Sequence, residues 1–132
     1  MLFKKDYIQN SIFIIPWRMI RKAEYRDLFP GALELMILKT LSRRPMHGYA
    51  LAQQIKESSC DLLQIEEGSL YPALQRMLKA GWLDSEKGLS TNNRAVRIFK
   101  LTQAGRRHLA KEVPSVEQMF AGISRVLALA GK

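Results

Sequence analysis

In the segment EEGSLYPALQRMLKAG, residues 66–81, an apolar helical period runs straight past a proline. Leu70, Leu74, Met77 and Leu78 recur at the i, i+4, i+7 and i+8 spacing that lines one face of a helix. Pro72 lacks a backbone N–H and is best tolerated in the first turn, where that group has no intrahelical partner. Gly68 or Ser69 is therefore the expected N-cap, and Gly81 the natural residue just past the C-terminus. The other face offers Ser69, Pro72, Ala73, Gln75, Arg76 and Lys79, which are mostly small or hydrogen-bonding groups. Tyr71 falls at the edge of the apolar stripe, where its ring can cover the core while the hydroxyl reaches outward. A short helix with one crowded apolar side and one open polar side has the form of a recognition helix for the DNA major groove. Taken alone, the same pattern also describes an ordinary amphipathic core helix.

Charge separates the two readings. The chain carries a net charge of +9, which suggests a polyanionic partner such as double-stranded DNA; the bland alternative is a solvated basic surface. Between Lys87 and Lys111 stand seven basic residues, Lys87, Arg94, Arg97, Lys100, Arg106, Arg107 and Lys111, with no acidic residue among them. The remaining fourteen basic residues nearly balance the twelve acidic ones. The excess is thus concentrated in one segment, as a functional patch requires.

At 132 residues the chain suits a single domain with a real core. Residues 1–28 read as an N-terminal arm, extended or disordered. Its apolar run SIFIIPW (Ser11–Trp17) is too short to span a bilayer and is broken by Pro16, which leaves a peripheral hydrophobic contact as the other reading. Residues 29–101 form the main unit. Gly31–Ser42 reads as its first helix, with Leu33, Met36, Ile37 and Leu41 inward, and Arg43-Arg44-Pro45 ends it. A second helix runs from about His47 to Glu57, with Leu51, Ala52 and Ile55 inward. Three helices, the third bearing an open polar face, make a helix-turn-helix pattern.

After Gly81 the period changes. Trp82–Lys87 and about Ala95–Leu101 read as two short strands, joined by GLSTNN as a loop. A hairpin after a recognition helix is the wing of a winged helix. Alternation in the second strand leaves open which of Arg97 and Lys100 faces a ligand; Arg94, at the tip, is the stronger candidate. The fold class is therefore mainly α with a small β-hairpin.

Thr102 is placed to cap a last helical region, residues 102–132. Leu109, Val113, Val116, Phe120, Ile123, Leu127 and Ala130 recur at alternating spacings of four and three, a seam that a larger protein can bury as its own core and that, after a complete small domain, reads as a dimerisation helix. Pro114, followed by the capping-box sequence Ser115-Val116-Glu117-Gln118, predicts a kink or break near residue 113.

HGYALAQQI (His47–Ile55), GSLYPAL (Gly68–Leu74), GWL (Gly81–Leu83) and LTQAG (Leu101–Gly105), in this order and spacing, resemble the PadR family of bacterial transcriptional regulators across residues 28–130. The resemblance implies a winged-helix repressor of the compact branch, dimeric through its C-terminal helix and bound to inverted-repeat operators. It carries Tyr49, Ser69, Tyr71 and Arg76 to the DNA face and Arg94 to the wing. Two departures weaken the wing: Phe99 stands where the family often has tyrosine, and Ala95 where a second basic residue is usual. Some compact members bind aromatic drugs between tryptophans at the dimer interface. Residues 102–132 hold no Trp, so a small-molecule effector is possible for this chain but unsupported by the resemblance.

An enzyme is not expected. His47 and His108, the only histidines, have no Cys, Asp or Glu at a metal or triad spacing, and no Gly-rich phosphate loop is present, so neither metal nor cofactor is implied. The lone Cys60 excludes an internal disulfide and suits a cytoplasmic protein. A winged helix used only for protein–protein contact is the alternative to specific DNA binding, and the uninterrupted basic run argues against it.

Overall fold

A computed structural model describes residues 7–9, 14–16 and 31–130 of the chain. Tyr7–Gln9 (β1) pairs antiparallel with Ile14–Pro16 (β2), Ile8 opposite Ile15. These two stretches are extended and paired; the rest of residues 1–28, on which the expected arm falls, lies outside the described residues.

Gly31, at φ +86°, turns the chain into α1 (Ala32–Leu41), a backbone conformation open to a residue without Cβ. Leu33, Ile37, Leu38 and Leu41 are fully buried, each contributing about 1.5–3 kcal/mol of transfer free energy. Met46–His47 (β3) follows, then α2 (Gly48–Ser58) with His47 as its N-cap. The His47 Nδ1 accepts the Ala50 N–H at 3.4 Å, and Leu51 and Ile55 point into the core.

The third helix, α3 (Glu67–Lys79), begins earlier than its proline suggests, with Glu66 as N-cap rather than Gly68 or Ser69. The Leu70 N–H bonds back to the Glu66 carbonyl at 2.9 Å, so a turn is already closed before Pro72. Pro72 then costs the helix only its bond to the Gly68 carbonyl, near the N-terminus, and the helix continues. Ala73, read as part of the polar face, is fully buried between Leu70, Leu74 and Met77. It is the one small residue on the buried side, and a small side chain signals neither face.

At the C-terminus of α3 the Trp82 N–H reaches the Met77 carbonyl at 3.0 Å and the Gly81 N–H reaches Leu78 at 3.1 Å, with Gly81 at φ +81°. This pair of bonds is a Schellman end and turns the chain into the sheet. β4 (Leu83–Leu89) and β5 (Ala95–Leu101) pair antiparallel from Leu83 opposite Leu101 to Leu89 opposite Ala95. Gly88 and Leu89, expected in the loop, belong to β4. A Cβ on Gly88 would sit 2.7 Å from the Ile98 side chain, so glycine is required for the pairing to continue there. β3 adds to the other side of β5, Met46 opposite Phe99, giving the order β3-β5-β4 instead of a bare hairpin.

Thr102 caps α4 (Gln103–Ala130) as expected: its hydroxyl accepts the Gly105 N–H at 3.0 Å and donates to the Gly81 carbonyl at 2.6 Å. The helix continues through Pro114 for 28 residues, with no break or restart at Ser115. Removing one N–H costs the helix its bond to the Ala110 carbonyl, which is less than the sequence on both sides gains by staying helical. At the base of α4 a Cβ on Gly105 would collide with the Trp82 carbonyl oxygen, so the helix lies directly on the α3–β4 corner.

Candidate nucleic-acid interface

The first turns of α2 and α3 meet where Gly48 lies under the ring of Tyr71. Tyr71 is 44% exposed, so one side of the ring packs and the other faces outward. Tyr49 stands beside it, 64% exposed, its ring stacked on His47 at 6.5 Å between centroids and 13° between planes. Across from these aromatics rises the wing, and a groove of about 1040 Å³ separates the two. Arg94 and Arg97 line it from the wing, Tyr49 and Tyr71 from the helices, and Arg44 from the turn between α1 and β3. Arg44 was missed in the sequence, where Arg43-Arg44-Pro45 reads only as a helix stop. A basic residue beside a motif such as HGY is the signal that would have found it.

The wing tip is tied down locally. The Ser90 hydroxyl accepts the Arg94 N–H at 3.2 Å and the Asn92 N–H at 3.3 Å, and the Asn93 N–H reaches the Ser90 carbonyl at 2.9 Å. Asn93 takes the left-handed backbone, φ +61°, that asparagine tolerates better than most residues. Arg94 thus projects from a closed turn.

Strand pairing resolves the alternation that sequence left open. Arg97 shares its face with Phe99, Ser85 and Lys87, and donates to the Ser85 hydroxyl at 3.0 Å. Lys100 lies on the other face, directly opposite Asp84, with Glu86 as the next acidic neighbour on that side. The wing is therefore polarised. Its acidic residues sit with Lys100, while Lys87 and Arg97 oppose one another on the face continuous with the core. Like charges directly across a strand pair cost about 0.2–1 kcal/mol, a repulsion that a polyanion relieves.

On α3, Gln75 and Lys79 are exposed on the outward side and Ser69 is half-buried. Arg76 occupies the opposite edge: its Nη2 lies 2.5 Å from the Glu34 carboxylate of α1. That edge borders a separate cavity of about 500 Å³ beneath α4, walled partly by Trp82 and His108, whose rings stack at 3.8 Å. The structure thus brings Tyr49, Tyr71, Arg94 and Arg97 around one groove, sets Gln75 and Lys79 beyond it, and leaves Arg76 paired on the α1 side.

Along α4 the seam changes character. Leu109 and Val116 are half-buried, whereas Phe120, Ile123 and Leu127 are 51%, 48% and 55% exposed, with Met119 and Val126 also exposed beside them. No described helix is long and apolar enough to cross a membrane.

Comparison with known proteins bears on this arrangement directly. Residues 37–111 match the model of the transcriptional regulator PadR-like family. A transcriptional regulator of Mycobacterium tuberculosis is 30% identical over 94 residues, which cover 71% of this chain and 84% of that protein. Among solved structures, a PadR-like transcriptional regulator of Bacillus cereus is similar with a TM-score of 0.63 at 25% identity, over 74% of this chain and 92% of that one. A PadR family regulator from Eggerthella lenta aligns with a TM-score of 0.59 at 26% identity, over 74% and 79% of the two chains.

Proposed function

Because the chain belongs to the PadR-like family of transcriptional regulators, we propose that it is a sequence-specific DNA-binding repressor, acting in the cytoplasm as a homodimer on an inverted-repeat operator. The groove between the wing and the first turns of α2 and α3 carries the proposal: two tyrosines face three arginines across it. Guanidinium groups neutralise phosphates and release counterions, and phenol hydroxyls add directed hydrogen bonds to the backbone or base edges. Gln75 and Lys79, exposed on α3, are the groups suited to base edges in the major groove. Arg76 joins them only by surrendering part of its bond to Glu34.

The exposed apolar side chains Met119, Ile123, Val126 and Leu127 of α4 support the homodimer. These four large apolar side chains, exposed among the described residues and set at helical spacing, suit a second copy of the same helix across a two-fold axis. Such a dimer carries two reading heads, and an inverted repeat presents two equivalent half-sites. A repressor then acts by occupying its operator.

The test is capture of genomic fragments by the purified protein, followed by sequencing. An inverted repeat shared by the bound fragments, held with an affinity that falls steeply as salt rises, is the expected outcome. Fragments with no common motif would overturn specific recognition, and a flat salt response would overturn DNA binding itself.

A further inference from the structure

Gly48 is the first residue of α2, directly after the His47 cap, and it is buried. An α-helix gains from alanine over glycine at most positions, so a buried glycine here needs a reason. The reason is a neighbour. A Cβ built on Gly48 would lie 3.0 Å from the Tyr71 hydroxyl oxygen and 3.3 Å from the ring's Cε1 and Cζ atoms. The hydroxyl end of the ring, rather than its root, is therefore what rests on the bare Cα. Since Tyr71 is otherwise nearly half exposed, the ring has room to swing away if anything fills that contact.

We propose that Gly48 is a positioning residue for Tyr71: its missing Cβ seats the phenol end against α2 and so fixes where the hydroxyl stands at the edge of the DNA groove. This rests on the DNA-binding reading above. Added bulk at Gly48 acts on the ring, not on the fold, because the atoms in the way belong to the far end of a partly exposed side chain. The helix itself accepts alanine at its first position. Gly48→Ala thus separates recognition from stability.

Four proteins test it: wild type, Gly48→Ala, Tyr71→Phe and the double variant. Each is measured for melting temperature and for affinity to a duplex selected from the genomic pool. Gly48→Ala should melt at or above the wild-type temperature yet bind severalfold more weakly. Tyr71→Phe should show a similar loss, and the double variant should bind no worse than Tyr71→Phe alone, because the hydroxyl that alanine displaces is already gone. Wild-type affinity in Gly48→Ala, or losses that multiply in the double variant, would overturn the proposal. A second readout needs no DNA: the Gly48 amide resonance of the free protein should shift on Tyr71→Phe, and an unmoved resonance also overturns it. If wild type holds no duplex while that resonance does shift, the DNA-binding reading has failed and the contact has not.

Discussion

α3 and α4 are both amphipathic, but they dispose of their apolar faces differently. On α3, Leu70, Ala73, Leu74 and Met77 are buried against α1 and the rest of the core. On the C-terminal half of α4, residues of the same kind lie in the open. Among the described residues, the first helix finds its cover within the chain, whereas Met119, Ile123, Val126 and Leu127 of the second stay exposed. If the proposed dimer covers that face, folding of the reading head and assembly are properties that single substitutions can change separately.

The largest effect should come from the open stripe. Ile123→Glu with Leu127→Glu places charges where the proposed dimer would bring two helices together, so light scattering at roughly tens of micromolar should give monomers that no longer hold the operator. A wild type that is itself monomeric under those conditions would break the comparison at once. Next comes the filled face. Leu74→Ala should destabilise the head by about 2–5 kcal/mol in a denaturant titration. A cost as small as that of Val126→Ala in the Ile123→Glu, Leu127→Glu background would mean the two faces are alike after all.

The comparison also shows what can be read from a chain without its coordinates. The helices were legible because a period of three and four, repeated over ten or more residues, has few other meanings. Seam residues such as Ile123 and Leu127 were legible as apolar, but periodicity does not say whether a face is covered within the chain or left bare. Shorter or longer-range features escaped. β3 has only Met46 and His47, too few for any period, and exists because β5 offers an edge. The start of α3 is hard to place because Pro72 marks the first turn only by preference, and here a turn closes ahead of it through the Leu70 N–H and the Glu66 carbonyl. The Arg76–Glu34 pair joins residues 42 positions apart, a distance over which local pattern carries no signal. Lys100 and Arg97 could be assigned to faces only once the register with Asp84 and Lys87 was known.

Within the reading head the expected effects are smaller and sort by position. Gln75→Ala should cost about 1–3 kcal/mol on the selected operator and little on random duplex, if the side chain meets an adenine edge. Arg94→Ala should instead weaken both duplexes alike and lower the slope of log affinity against log salt by about one unit. Identical behaviour of the two variants on both duplexes would erase the division between α3 and the wing. Smallest of all, Arg76→Ala should change stability by only about 0.2–1 kcal/mol, since the Arg76 side of its pair with Glu34 is 58% exposed. A loss of operator preference as large as that of Gln75→Ala would show that Arg76 leaves Glu34 to read bases.

Gly105 gives the molecule leverage. From this point α4 runs 25 residues to Ala130, about 38 Å at 1.5 Å per residue. A tilt of about 10° at such a fulcrum carries the far end sideways by roughly 7 Å, about two base-pair steps along a duplex. The bare Cα pressed on the Trp82 carbonyl is thus a pivot at the short end of a long arm. In the proposed dimer, the spacing between the two reading heads would depend on that contact, where the absence of one methyl group lets the helix sit directly on the Trp82 carbonyl.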